Sequence, residues 1–157
     1  MKNSDASKLV YISYIAATAE KVWDALTKND LRKQWWRGHY MESDWKTGSS
    51  FISYFPDGSK EATGKIIEAD PPRKLSYESH VEFRTEYETE PSRLTFEIES
   101  YPSIVKLKLT YQAGEKLIAL SRPGWPAVIS SLKSLIETGK ALPLVEVFGP
   151  ERNPAKE

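Results

Sequence analysis

Cysteine is absent from the 157 residues, which removes disulfides and thiolate chemistry from consideration. That absence fits a reducing compartment, and a cytoplasmic location is the expectation. An excess of charge is missing too, since 22 basic side chains balance 22 acidic ones. With no net field to draw the chain onto a phosphate backbone, nucleic acid is not expected as a partner. Long apolar runs are lacking: no stretch approaches the roughly 20 residues that a membrane span needs. Met1 to Lys8 is polar and unlike a signal peptide, so neither secretion nor membrane insertion is expected.

The usual carriers of chemistry are also scarce. His39 and His80 are the only histidines, and neither sits among carboxylates at metal-ligand spacing. Gly58, Gly64 and Gly114 are isolated turn or strand glycines, with no nucleophile elbow, P-loop or dinucleotide fingerprint around them. The stretch from Glu82 to Glu90 is rich in glutamate but also holds Arg84, and reads as a solvated strand end or loop. No metal, cofactor or catalytic pair is expected from these patterns.

What the chain does have is periodicity. Leu9 to Ala16 is rich in β-branched and aromatic residues and reads as a strand. Thr18 offers an N-cap, and Val22, Trp23 and Leu26 recur at helical spacing, predicting a helix over Ala19 to Thr27. Asp30 is placed to cap a second short helix, Leu31 to Trp36, which Gly38 would end. Extended segments follow at His39 to Trp45, Ser49 to Phe55, Glu61 to Ala69 and Lys74 to Phe83. Pro56-Asp57-Gly58 and Asp70-Pro71-Pro72 are the turns among them. Leu94 to Glu99 and Val105 to Tyr111 alternate apolar with polar residues, the mark of antiparallel strands wet on one face. From Gly124-Trp125-Pro126 to Gly139, Trp125, Val128, Ile129, Leu132, Leu135 and Ile136 mark one helical face.

The resulting order is one strand, two short helices, about six strands and a long helix: an α+β chain of one domain. Strands and helix each have one greasy face and must share it. The economical solution is a curved antiparallel sheet wrapped around the C-terminal helix, with Leu94, Phe96, Ile98, Val105, Leu107, Leu109 and Tyr111 pointing inward and Leu75, Tyr77 and Ser79 beside them. Residues 1–8 are expected to be a flexible N-terminus and 9–142 the domain. Residues 143–157 are expected to be a tail, and Leu142, Leu144, Val145, Val147 and Phe148 could dock on the body or on another subunit.

The segments TAEKVWDALT (from Thr18), LRKQWWRG (from Leu31), GKIIEADPPRKLSY (from Gly64), PSRLTFEIE (from Pro91) and GWPAVISSLKSLIETG (from Gly124) resemble the activator of 90-kDa heat-shock-protein ATPase homologue family. That family belongs to the START-like, polyketide-cyclase-like superfamily. The resemblance spans about Val10 to Leu142 and implies a helix-grip fold with an apolar space between sheet and long helix.

Such a space would bind a small hydrophobic molecule by desolvating both surfaces, at roughly 25 cal/mol per Å². The candidate ligand-binding residues are Trp36 at the mouth, Tyr54 and Tyr77 on the sheet, Phe96 and Leu107 on the floor, and Trp125, Val128 and Leu132 on the helix. Trp35 and Trp36 are adjacent on one helix and cannot face the same way. Two other readings stand beside the binding one. The domain could dock on a protein partner or a second copy, as family members that stimulate the heat-shock chaperone dock on it, or act as a polyketide-cyclase-like enzyme.

Overall fold

The computed structural model describes residues 8–82 and 91–150. Along them run β1 (Lys8–Ile15), α1 (Ala19–Thr27), α2 (Asn29–Trp35), β2 (Tyr40–Ser43), β3 (Ser50–Tyr54), β4 (Lys60–Asp70) and β5 (Lys74–Val81). After the gap come β6 (Ser92–Ser100), β7 (Val105–Gln112), α3 (Glu115–Ser121), α4 (Trp125–Thr138) and a single turn, α5 (Val145–Phe148). The acidic segment expected to be a solvated strand end or loop lies, beyond Glu82, outside the described residues.

The seven strands form one antiparallel sheet in the order β1-β7-β6-β5-β4-β3-β2. β2 to β7 are a meander, and the α1–α2 pair carries the chain from β1 at one edge to β2 at the other. Register shifts at Ser53/Tyr54 and at Ile66/Glu68 add residues on the β2 side, and bulges of this kind bend a sheet. Gly64 sits where two strands press together: a Cβ there would lie 1.8 Å from the Glu78 carbonyl oxygen and 2.7 Å from the Phe51 ring. No other residue fits that position.

Thr18 caps α1 as its hydroxyl suggests, accepting from the Lys21 amide at 3.2 Å. The expected Asp30 cap does not form. The second helix begins earlier, at Asn29, so Asp30 falls inside its first turn, and no side chain caps it. Asn29 instead turns its Oδ1 to the Met41 amide at 3.1 Å, anchoring β2 to the helix pair. Two donors from α2 then reach the unpaired carbonyls at the end of α1: Trp35 Nε1 donates to Ala25 at 2.8 Å and Arg32 Nη1 to Leu26 at 2.6 Å.

α4 starts after Gly124 with Pro126 in its first turn and ends at Gly139 in the left-handed conformation, φ 83°. Its buried residues are Trp125, Val128, Ile129, Ser131, Leu132 and Leu135. It is tied to the end of β1, where Glu137 accepts from the Ala16 amide at 2.8 Å and Lys133 donates to the Tyr14 carbonyl.

The inward faces of the sheet form rows set by register. Leu75, Phe96 and Leu109 lie in one row, Ile98 and Leu107 in the next, and all five are buried. The helix residues Val22, Leu26, Leu132 and Leu135 join them in a single hydrophobic cluster. One helix and one turn were not expected. α3 is only seven residues long, its N-cap is Gly114 with no side-chain bond, and Leu-Ile-Ala-Leu reads equally well as a strand.

Candidate ligand cavity

The same strands behave differently at their other end. Tyr77, Leu94 and Tyr111 form a row one step from the packed core, and Ser79 and Ser92 form the next. Over these two rows the interior is open, with a cavity of about 500 Å³. Met41 and Phe51 close it from β2 and β3, Arg32 from α2 and Trp36 from the C-cap of that helix, Trp125 and Val128 from the first turn of α4, and Leu117 from α3. Leu120, Phe148 and Pro150 border it as well, with Leu120 solvent-exposed at the rim.

The division follows from side-chain direction and helix tilt. Trp125 and Val128 belong to the first turn of α4 and line the cavity, whereas Leu132 and Leu135, one and two turns later, fill the core. The eight sequence candidates separate along this line. Trp36, Tyr77, Trp125 and Val128 come together around the cavity. Phe96, Leu107 and Leu132 are fully buried among core side chains and do not line it. Tyr54 also stands outside the lining: Ser53 takes the inward position, and the Tyr54 ring stacks on Tyr40 with centroids 4.9 Å apart. Its phenol is held above its ordinary value mainly by the neighbouring Glu42 carboxylate.

Trp35 and Trp36 do not point apart as their adjacency suggested: their ring centroids lie 4.9 Å apart, with the planes tilted by 51°. Trp35 is sealed in the core, while Trp36 faces the cavity and meets Trp125 edge-on at 5.0 Å. Arg32 packs against the Trp35 and Trp36 indoles, a residue that no pattern in the sequence nominated for the site. Its guanidinium is 2% exposed and lies over the Trp36 ring at 4.7 Å, with Trp35 and Trp45 at 5.5 and 5.8 Å. Burial lowers its pKa, opposed by the neighbouring Tyr77 phenol and by Glu61. Arginine is basic enough to stay charged regardless.

The remaining polar lining comes in pairs. His39 Nδ1 meets Glu61 Oε1 at 2.9 Å, and Ser79 Oγ meets Ser92 Oγ at 2.7 Å. Burial pushes the Tyr111 phenol up, partly offset by the nearby Ser121 and Ser92 hydroxyls. Tyr77 is likewise raised, first by burial, against the nearby Arg32. Among the described residues no three His, Asp or Glu side chains converge as metal ligands. None of their helices is long and apolar enough to cross a membrane.

A seven-stranded antiparallel sheet that wraps a C-terminal helix and leaves an apolar space beneath its first turn is the helix-grip arrangement of START-like proteins. Within that class the chain belongs to the activator of Hsp90 ATPase homologue 1-like family, whose sequence pattern matches residues 16–137. Solved structures agree on the fold. Protein MLL2253 from Mesorhizobium loti is 20% identical, with TM-score 0.71 over 82% of this chain and 96% of that one. The Aha1 dimer from Colwellia psychrerythraea is 20% identical, with TM-score 0.70 over 85% and 98%. CalU16 from Micromonospora echinospora is 19% identical, with TM-score 0.67 over 84% and 77%. No curated protein matches the chain by sequence.

Proposed function

We propose that the protein binds a small hydrophobic molecule in the cavity between the sheet and the first turn of α4. The observation that carries this reading is the split interior: one end is packed by Phe96, Leu107 and Leu132, and the other keeps about 500 Å³ open behind aromatic walls. That volume lies within the roughly 300–1,000 Å³ typical of ligand pockets. Trp36, Tyr77, Tyr111 and Trp125 present wide apolar area with hydrogen-bonding tips, which suits an aromatic or aliphatic guest. The acid and base within the lining, His39 and Glu61, are bonded to each other, and binding without catalysis is the reading we favour.

Titration with 1-aminoanthracene, an uncharged dye that brightens in apolar surroundings, tests the proposal. Enhancement with micromolar affinity is expected, and Val128→Trp, which fills the space from α4, should abolish it while leaving the circular dichroism spectrum intact. No enhancement in the native protein, or one indifferent to Val128→Trp, would count against the cavity as a binding site.

A further inference from the structure

Resting on that reading, we infer that the guest is an amphipathic anion: an apolar body in the cavity and a carboxylate, or a group of like charge and shape, held by Arg32 and Tyr77. A buried arginine ordinarily has a carboxylate partner, because removing a lone cation from water is expensive. Arg32 has none within ion-pair distance among the described residues, although it is 2% exposed. Its Nη1 is used by the Leu26 carbonyl, and its Nε has no hydrogen-bond partner at all. The guanidinium is supported from the flanks by indole faces, which stabilise the cation without occupying its in-plane donors.

Its neighbours complete the argument. Tyr77 and Arg32 both border the open space, so a phenol and a guanidinium line it together. Arg32 and Glu61 are both charged members of the lining, and they are not within ion-pair distance of each other. Glu61 already meets His39 at 2.9 Å, which spends part of its charge on that ring. A planar anion at Arg32 would satisfy the idle Nε donor and neutralise the charge in one step, the geometry to which guanidinium is best suited. The arginine also ties α1 to α2 through Leu26, but that task uses one of its five donors.

The test is displacement of bound 1-aminoanthracene by decanoate, 1-decanol and decylammonium, which share a chain and differ in head group. Decanoate should displace the dye at least roughly tenfold more tightly than decanol, the worth of one charge-assisted bond, and decylammonium should be the weakest. Arg32→Met should level decanoate with decanol, and Arg32→Lys should keep part of the preference. In the native protein, carboxyl-labelled decanoate should titrate about one unit or more below the free acid when bound, a readout that holds even if Arg32→Met fails to fold. Equal displacement by decanoate and decanol, or a preference that survives Arg32→Met, overturns this inference and leaves the cavity reading standing. Failure of the dye to bind removes both.

Discussion

Leu132 and Leu117 carry the same side chain on helices and border different interiors, and truncating each to alanine separates packed core from cavity wall. Leu132 is 0% exposed and enclosed by the core cluster. Leu132→Ala removes three carbons, about 2.4 kcal/mol at roughly 0.8 kcal/mol per group. A void forms where nothing can collapse, bringing the expected loss to about 3–4 kcal/mol. Leu117 is 6% exposed but faces the open space, so Leu117→Ala enlarges an existing cavity and leaves fewer contacts to forfeit. Its loss should be about 1–2 kcal/mol. Urea unfolding measures both, provided the slope with denaturant is unchanged, so that the midpoint reports stability alone. Equal losses at the two sites would refute the division of the interior, because they would show Leu117 as closely packed as Leu132.

Three other substitutions test the scaffold. Gly64→Ala places a Cβ against the Glu78 carbonyl at 1.8 Å, backbone that cannot yield, and should cost more than about 3 kcal/mol or prevent folding, as thermal melting would show. Trp35→Phe keeps most of the buried ring but leaves the Ala25 carbonyl without its 2.8 Å donor, and should cost about 1–3 kcal/mol in the same assay. Glu137 is held below the usual carboxylate range, first by Lys133 and then by the Ala16 amide. A depressed folded pKa means that its contribution is present above the unfolded carboxylate value and disappears as pH falls through the folded one. Glu137→Ala should therefore lower stability at neutral pH by no more than about 1 kcal/mol given its partial exposure, seen as a lower melting temperature, and the gap should close on acidification.

The layers were legible in the sequence because burial on one face writes a period into it. Alternation in Leu94 to Ile98 and Val105 to Tyr111 picked out side chains that are all buried, and the same counting on α4 picked out its apolar face. What alternation cannot say is how far along a strand the partner layer reaches. Phe96 and Leu94 look alike in sequence, yet one lies in the packed row and the other against the cavity. Candidates chosen by size and polarity thus fell on both sides of the boundary. Tyr54 stands outside because unbroken period-two alternation along β3 and into the next residue turns Phe51, Ser53 and Phe55 toward the cavity and Tyr54 away from it. Arg32 was hidden by its setting: within Leu-Arg-Lys-Gln-Trp-Trp a cation reads as the solvated face of a helix, and only tertiary packing against three indoles makes it interior. Its spacing of four from Trp36 was the one local hint.

Methyl NMR during addition of 1-aminoanthracene tests the central claim most directly, because the aromatic dye shifts the methyl groups it touches. The account predicts shifts at Leu94, Leu117, Val128 and Met41, which face the open rows, and none at Leu107, Leu132 or Leu135, which do not. Shifts confined to exposed residues such as Val10 and Ile12, on the outer face of β1, would place the dye outside and contradict it.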